Sequence, residues 1–372
     1  MGPVGTENIR KPSVIAVADG SSERRALIAR DLLSFYQVGL FGDARRALTE
    51  LANISGVLMV IDQDVPPEGG IALLQRLREH PVLRTTPVVF IVDSDARQGA
   101  AVQAGADEVV TRPYKPSALL CAISCLSNRF VEAGWEGLPP VHKDALRKTV
   151  DAFNGISDLI EHGEELNYGS VTEACKPLVN AVSDHDFRAI LAGVRDHDNY
   201  SYVHSMRVAT FLSLFGYTIG LKGDDLLTLA SGGLVHDIGK MSIPYDVLNK
   251  PGRLDQDELV VMRSHVDRTV AYLVDHSHVP HSVMTIAAQH HEKLNGNGYP
   301  KGLKNGQLNE LARMASIVDV FGALTDRRVY KDPMSPEKAL DIMVKEMGNE
   351  LDQHLLELFR SMLLDAAVEQ DA

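Results

Sequence analysis

Short, continuously apolar runs alternate with stretches of helical spacing along the first third of the chain. The apolar runs occupy residues 14–18, 57–61 and 88–92, with a brief pair at 109–110. The helical stretches occupy residues 22–35, 71–78, 96–104 and 117–126. Buried strands that alternate with helices are typical of a parallel sheet covered on both faces. The pattern therefore predicts a doubly wound α/β domain over residues 12–128.

An aspartate follows each of the three longer apolar runs, at Asp19, Asp62 and Asp93. The carboxyl ends of parallel strands lie at one edge of the sheet, where such folds place their binding sites. We therefore expect a cluster of acidic side chains at this edge of the first domain.

After residue 128 the pattern changes, and helical spacing dominates the rest of the chain. Two glycines and two prolines between residues 134 and 140 mark the boundary. The apolar stripes from residue 142 onward are typical of packed or interface helices. We predict a helical connector over residues 129–195 and an all-α domain over residues 196–366, so that the protein as a whole is multidomain.

Composition limits the partners that the protein can bind. The chain has 372 residues and a formal net charge of −13, which argues against binding a nucleic-acid polymer or an anionic membrane. No apolar run approaches the roughly 20 residues that span a bilayer, and residues 1–11 lack the pattern of a signal peptide. Three cysteines without CxxC spacing indicate neither a disulfide framework nor a thiolate zinc site. We expect a cytoplasmic protein without membrane insertion.

Histidines and aspartates recur on the apolar helical stretches of the second half. They are His204, His236, Asp237, His265, His290, His291 and Asp319. Any one of them is more often a hydrogen-bonded core residue than a ligand, but burying several ionisable groups is costly unless they pair or bind metal. Five imidazoles and two carboxylates without a thiolate suit iron, manganese or zinc. The set therefore favours a metal site.

Asp237 is central to this hypothesis because a carboxylate can bridge two cations. We predict two groups of ligands around it: His204, His236 and Asp319 on one divalent metal ion, and His265, His290 and His291 on the other. A pair of cations about 3.5–4 Å apart is the usual apparatus for displacement at phosphorus. Lys240, one helical turn after Asp237, would meet an anion bound at those cations.

The region from residue 197 to residue 364 carries an ordered series of motifs. The series reads YSYVHS at 200–205, HDIGK at 236–240 and HHEKLNGNGYP at 290–300, followed by Asp319. HD alone is a weak signal, but the whole series resembles the HD-GYP domain, a branch of the HD phosphohydrolase superfamily. The resemblance implies an all-α HD-type helical domain and a metal-dependent phosphodiesterase acting on cyclic di-GMP, with linear pGpG or GMP as the product.

The same resemblance implies a role for each residue around the metal ions. The seven histidine and aspartate side chains would be the ligands of iron or manganese, and a hydroxide held between the cations would be the nucleophile. Lys240 would bind the scissile phosphate. Arg328 and Lys331 match the cations that hold substrate phosphates, although both also fit a solvated basic helix end. Tyr299 would stack near a guanine or shape the pocket wall, and a structural turn is its alternative.

Three departures from the HD-GYP pattern limit these expectations. Some members place a glutamate four residues before the first histidine to hold a third metal; Tyr200 stands there, so we predict two metal ions. The aspartate usual before the GYP loop is Asn295, and the substrate-side pattern reads TDRRVY at 325–330. These changes leave open a preference for a mixed cyclic GMP–AMP over cyclic di-GMP. The sequence decides neither the metal nor the end product.

Residues 12–128 resemble the receiver domain of response regulators. Asp62, with a proline and a glycine at the expected offsets, matches the phospho-acceptor strand and its loop. Other positions depart from the family: one of its two magnesium-binding acids is Ala18, the hydroxyl residue ending the fourth strand is Val92, and the usual lysine is Arg112. The resemblance implies a degenerate receiver that phosphate does not switch in the usual way, or a dimerisation or docking module.

Two hypotheses of different classes follow. The first is an active cyclic-dinucleotide phosphodiesterase that forms a homodimer and is regulated or dimerised by its degenerate receiver domain. The second is a catalytically weak sensor or scaffold that binds the dinucleotide, or docks protein partners through the GYP loop at 296–300. Because a scaffold need not retain seven ligands, the complete set favours the enzyme.

Overall fold

The chain forms two compact units. The first unit comprises residues 1–134 and 196–199, and the second comprises residues 135–195 and 200–372. Residues 135–195 share the second unit with the candidate ligands. The structure, a computed structural model, describes residues 12, 14–33, 36–54, 56–195, 197–250, 252–274, 279–326 and 334–368.

The first unit is a parallel sheet with five strands in the order β2-β1-β3-β4-β5. The strands are β1 Val14–Ala18, β2 Gln37–Phe41, β3 Val57–Asp62, β4 Val88–Val92 and β5 Glu108–Thr111. The helices of this unit are α1 Ser22–Leu32, α2 Ala44–Leu51, α3 Gly70–Glu79, α4 Gln98–Gln103 and α5 Pro116–Gly134. The predicted doubly wound α/β fold is confirmed.

The burial of each strand explains which elements the apolar pattern revealed. Every residue of β3 and β4 is buried, so both appear in the sequence as continuous apolar runs. The edge strand β2 is only partly buried and contains Gly39, so it forms no such run. The apolar runs therefore predicted the buried strands and gave no sign of β2 or of α2 after it.

The second unit is helical, and its strand-free architecture confirms the predicted all-α class for the residues that the structure describes. Its helices are α6 Pro140–His162, α7 Tyr168–Ser183, α8 Arg188–Val194, α9 Tyr200–Thr218, α10 Asp224–Val235, α11 Tyr245–Leu248, α12 Gln256–Arg263, α13 His265–Val274, α14 His281–Gln289, α15 Glu310–Thr325, α16 Pro336–Glu346 and α17 Gln353–Val368. A short 3-10 helix, Ile238–Ser242, follows α10.

Helix α9 runs through the core of the second unit. It packs against α10, α7 and α15, and its residues from Tyr202 to Gly216 are buried except for Arg207. The Tyr202 hydroxyl reaches back to α6, where it lies 3.0 Å from Thr149 Oγ1. On its other side, the Phe211 ring packs edge-on against Phe321 of α15. A helix buried all round must provide partners for every polar side chain that it carries, His204 among them.

No helix among the described parts of the chain is long and apolar enough to cross a membrane.

Candidate metal centre

The seven predicted ligands lie in or at the ends of helices, and their side chains meet inside the second unit. His204 lies within α9 and Asp319 within α15. The other five stand at helix ends: His236 and Asp237 after α10, His265 at the start of α13, and His290 and His291 after α14. Six of the seven are buried, and His291 keeps 20% of its side chain exposed.

The side chains form two groups of possible ligands that share Asp237. In each group the donor atoms lie within 4.8 Å of one another. The groups are His204, His236, Asp237 and Asp319, and Asp237, His265, His290 and His291. This is the division that the sequence predicted.

The two carboxylate oxygens of Asp237 face different groups. Asp237 Oδ1 lies 3.1 Å from His265 Nε2 and 3.6 Å from His290 Nε2. Asp237 Oδ2 lies 3.3 Å from His236 Nε2 and 3.7 Å from His204 Nε2. This arrangement suits a carboxylate that bridges two cations.

Backbone carbonyls orient three of the imidazoles. The Nδ1 atom of His236 lies 2.7 Å from the Gly233 carbonyl oxygen, and that of His265 lies 2.6 Å from the Met262 carbonyl oxygen. His290 Nδ1 is likewise 3.0 Å from the carbonyl oxygen three residues earlier. With Nδ1 donating its proton to a carbonyl, each Nε2 carries the lone pair and points into the centre.

These inward-facing atoms lack hydrogen-bond partners. The Nε2 atoms of His236, His265 and His290, together with Asp237 Oδ1, are buried without a hydrogen bond, because their short contacts with each other lack the geometry of one. A buried polar atom without a partner costs about 1–3 kcal/mol, and so many in one place need an explanation. A pair of divalent cations would satisfy all four atoms, so the residues fit such a pair.

The charges of the centre favour the ligand forms of Asp237, His290 and His291, but not that of His236. Burial by itself would raise the pKa of Asp237, but Lys240 and His236 hold it well below the usual range of a carboxyl. Burial lowers the pKa of His290 and that of His291, so both imidazoles are neutral at pH 7. Burial also opposes protonation of His236, but the neighbouring Asp237 carboxylate raises the pKa of His236 to about 9. A cation bound there would therefore displace a proton.

A glycine in the HDIGK motif lets two of the ligand segments approach closely. A Cβ atom on Gly239 would lie 2.1 Å from the His265 carbonyl oxygen and 2.7 Å from the Thr269 nitrogen. The Gly239 N–H instead donates to Thr269 Oγ1 at 2.9 Å. The 3-10 helix after Asp237 therefore packs directly on the first turn of α13, which brings Asp237 to His265.

The GYP loop is fixed beside the centre by a buried glutamate. The Glu292 carboxylate accepts hydrogen bonds from the Lys301 N–H at 2.7 Å and the Leu303 N–H at 2.9 Å. Gly298 has no room for a Cβ atom, which would lie 2.4 Å from the Lys293 nitrogen. The motif containing Glu292 was recognised in the sequence, but its holding of the loop amides was not predicted.

Tyr299 of this loop lies against a candidate ligand. Its ring centroid is 4.7 Å from that of His291, and the Arg263 guanidinium carbon lies 5.1 Å from the Tyr299 centroid. Burial raises the pKa of the Tyr299 hydroxyl, so the phenol stays neutral. Tyr299 is therefore part of the wall around the second group of ligands.

Of the other predicted substrate-binding residues, Lys240 lies within the described part of the chain. The Lys240 ammonium contacts the Asp237 carboxylate, and 16% of the Lys240 side chain is exposed. Tyr200, at the position where a third metal would require a glutamate, stacks on the His204 ring with centroids 5.9 Å apart. Arg328 and Lys331 lie outside the described residues.

Like the role of Glu292, the position of Asp326 beside a candidate ligand was not predicted from the sequence. Asp326 is buried, and its Oδ2 atom lies 2.8 Å from His204 Nδ1. His204 Nε2 is in turn 2.9 Å from Asp319 Oδ1, and Arg207 pairs with the other oxygen of Asp326. Asp326 thus orients the imidazole of a candidate ligand from behind. Asp326 follows Asp319 by seven residues, or two helical turns. This spacing was the sequence signal that could have indicated that both side chains lie on one face of the helix.

Replacing Asp326 with asparagine should weaken one metal site and spare the other. The loss of a charged partner behind a ligating histidine typically costs about 10- to 100-fold in metal affinity. Metal content, measured during titration with a chelator, should fall from two ions per chain toward one. Asp352→Asn, which breaks the pair with Arg313, is the control and should keep both ions. Unchanged affinity in Asp326→Asn would show that Asp326 does not position His204.

Comparison with known proteins agrees with this architecture. The model of the HD domain family matches residues 191–355, and that of the response regulator receiver domain matches residues 15–124. A cyclic di-GMP phosphodiesterase of Pseudomonas aeruginosa, PA4108, is 31% identical over 281 residues, which are 74% of this chain and 64% of that protein. The cyclic di-GMP phosphodiesterase response regulator RpfG of Xanthomonas campestris is 26% identical, over 91% of this chain and 85% of that protein.

A solved structure supports the fold. A HDG"Y"P protein from Bdellovibrio bacteriovorus matches 66% of this chain and 81% of its own chain with a TM-score of 0.50 and 18% identity. The helical unit and its shared aspartate, together with these matches, define an HD-domain protein with a response regulator receiver domain ahead of the HD domain. Within that class, the chain is similar to the proteins named above as cyclic di-GMP phosphodiesterases.

Proposed function

We propose that the second unit is a metal-dependent phosphodiesterase that hydrolyses cyclic di-GMP to linear pGpG, to GMP, or to both. The observation that carries the proposal is Asp237, whose two carboxylate oxygens face two separate groups of histidines, with unpartnered Nε2 atoms on His236, His265 and His290. The relatives named as cyclic di-GMP phosphodiesterases supply the substrate class. The acidic chain can still bind an anionic dinucleotide where local cations meet it.

The donor set favours two divalent cations, with iron or manganese as the metal. Imidazole nitrogens and carboxylate oxygens without a thiolate suit these borderline metals. Held by the two groups that share Asp237, such a pair would supply an activated water and neutralise charge on phosphate. Tyr200 offers no carboxylate at the position a third metal would need, which supports two ions rather than three.

The chain's own residues have separable tasks in this proposal. Lys240, at the partly exposed edge of the centre, binds the scissile phosphate and offsets the negative charge that develops during hydrolysis. Tyr299 forms the wall next to His291 and offers a face on which a guanine can stack. We also propose, from the resemblance alone, that Arg328 and Lys331 hold the substrate phosphates.

We further propose how the chain is organised around this activity. Residues 12–128 would act as a regulatory or dimerisation module, joined through residues 129–195 to a catalytic region at residues 196–366, in a homodimer. The GYP loop would in addition contact protein partners. Light scattering of the full chain, compared with a chain starting at residue 135, tests whether the first unit carries the dimer.

Turnover by the purified full chain tests the function. Protein loaded with iron or manganese is incubated with cyclic di-GMP and, separately, with a mixed cyclic GMP–AMP, and the products are resolved by chromatography. We expect metal-dependent formation of a linear dinucleotide, faster from cyclic di-GMP. Dinucleotide binding that needs no metal and leaves both substrates intact over hours would favour the sensor hypothesis instead.

Lys240→Ala should lower turnover while leaving the metal ions in place. Loss of one group that stabilises charge in the transition state typically costs about 100-fold or more in kcat, and the ammonium group of Lys240 has no lone pair with which to hold a metal. Parallel measurements of kcat and metal content separate the two effects. Lys222→Ala, which removes an exposed lysine of the same unit, should change neither. Loss of metal in Lys240→Ala would contradict the assignment.

A further inference from the structure

The acidic pocket of the first unit contains an arginine at its centre. Strands β1 and β3 pair in register at their carboxyl ends, so Asp19 and Asp62 lie side by side. Both side chains are 1% exposed. Arg24 of α1 reaches over them: its Nε atom donates to Asp19 Oδ2 at 2.8 Å, and its Nη2 atom donates to Asp19 Oδ1 at 2.7 Å.

The same guanidinium also reaches the second aspartate. Arg24 Nη2 lies 3.4 Å from Asp62 Oδ1, an oxygen that also accepts the Asp64 N–H at 2.9 Å. The other oxygen, Asp62 Oδ2, has no hydrogen bond but lies 3.2 Å from Nη2 of Arg112. Two buried carboxylates are therefore matched by two guanidinium groups, and all four of their oxygens face a cation or an N–H.

This arrangement is stable as it stands. Arg24 meets Asp19 through two parallel hydrogen bonds, the strongest geometry for an arginine–carboxylate pair. Buried charges are tolerated when they are paired and hydrogen-bonded in this way. The negative charge that a bound cation would neutralise in this pocket is thus already neutralised by the guanidinium groups of Arg24 and Arg112.

A magnesium ion, which the receiver family implies at this place, does not fit these residues. Magnesium takes oxygen ligands in a near-octahedral shell, but both oxygens of Asp19 are held by Arg24 and Ala18 offers no carboxylate. A divalent ion would have to displace Arg24 from both of its hydrogen bonds or sit next to its positive charge. Either change makes the free energy of binding a divalent ion less favourable than it would be in an acidic pocket without an arginine.

A phosphoryl group on Asp62 would also lack partners. Val92, at the end of β4, is 1% exposed and apolar, so it offers no hydrogen bond to a phosphate oxygen. Arg24 is committed to Asp19, which leaves Arg112 as the cation facing the outer oxygen of Asp62. Phosphoryl transfer depends on cations that neutralise the transferring group.

We infer that Arg24 is a built-in cation that replaces the divalent ion in this pocket. The first unit therefore takes up no magnesium, accepts no phosphoryl group at Asp62, and remains in one state whether or not phosphodonors are present. The pocket is a permanently neutralised site, and Arg24 is the residue that closes it to metal ions.

The inference predicts that removing Arg24 creates a cation site. We compare the full-length wild type with Arg24→Ala, with the double variant Ala18→Asp, Arg24→Ala, and with the control Arg30→Ala, an exposed arginine on the same helix. Each is loaded with metal in its second unit and titrated with magnesium in a calorimeter. We expect the wild type and the control to give identical traces. Arg24→Ala and the double variant should each show an additional saturable magnesium site that the wild type lacks.

Phosphorylation gives an independent measurement. Wild-type protein is incubated with magnesium and acetyl phosphate, and its intact mass and cyclic di-GMP turnover are recorded. We expect no added phosphoryl group and no change in turnover. Adding Val92→Thr to the double variant restores the missing hydroxyl, and this triple variant should gain one phosphoryl group at Asp62, with release of acetate. Labelling of wild-type Asp62, or magnesium binding by the wild type equal to that of the double variant, would overturn the inference. The magnesium titration and the intact mass do not depend on which dinucleotide the second unit hydrolyses.

Discussion

Asp237→Ala is expected to abolish turnover and to remove metal from both groups of ligands. Among the described residues, Asp237 is the side chain common to both groups, so its loss takes one ligand from each site at once. It also leaves the Lys240 ammonium without the carboxylate that it contacts. Losing metal-assisted activation of water should cost about a thousandfold or more in kcat.

Metal content and turnover, measured on the same sample, test this expectation. The wild type should carry two ions per chain and Asp237→Ala at most one, bound weakly. Asp246→Ala is the matched control because Asp246 is an exposed aspartate on α11 of the same unit. Full metal content together with near-normal turnover in Asp237→Ala would refute the bridging role. Lys240→Ala, by contrast, should lose turnover and retain its metal.

Gly239→Ala should have the largest effect on stability of any single methyl group added to the centre. The new Cβ atom would lie 2.1 Å from the His265 carbonyl oxygen and 2.7 Å from the Thr269 nitrogen, both of which are backbone atoms that cannot rotate away. The 3-10 helix and α13 must therefore separate, which moves His265 away from Asp237. Overpacking of this kind costs about 3 kcal/mol, a fall in Tm of about 5–10 °C for a unit of this size.

Thermal unfolding of the metal-free protein measures the packing cost, and metal analysis measures the damage to the site. Gly306→Ala is the control because a Cβ atom on Gly306 meets no atom within 4 Å. We expect Gly306→Ala to match the wild type in both measurements. If Gly239→Ala melts at the wild-type temperature and keeps two ions, the close approach of the two segments does not hold Asp237 and His265 together.

Much of the fold follows from local pattern. The apolar runs that became β1, β3 and β4 are buried on both faces, so nearly every residue in them is apolar and the sequence signal is strong. The edge strand β2 needs burial on one side only, and its sequence carries no comparable signal. The same contrast applies to helices, since α9 is buried almost all round and its one long apolar stretch marks it in the sequence.

The candidate centre was also accessible from the sequence, but only as a set of residue types. Spacing along the chain placed His236 and Asp237 at the end of one helix and Asp319 within another. It could not show that the two oxygens of Asp237 face different groups, because that depends on how five segments pack. The roles of Asp326 and Glu292 were missed for the same reason: each acts on a residue brought near by tertiary folding.

The sequence by itself determined the class of each domain, the residue types of the candidate metal centre and the series of motifs that resembles the HD-GYP domain. These are local properties, set by periodicity and by the order of side chains along the chain. Only the tertiary structure decided that Asp237 stands between two groups of histidines, that Asp326 supports His204, and that Arg24 fills the acidic pocket of the first unit. Hydrogen bonds and ion pairs act over about 3 Å, so their partners become known only when the chain has folded.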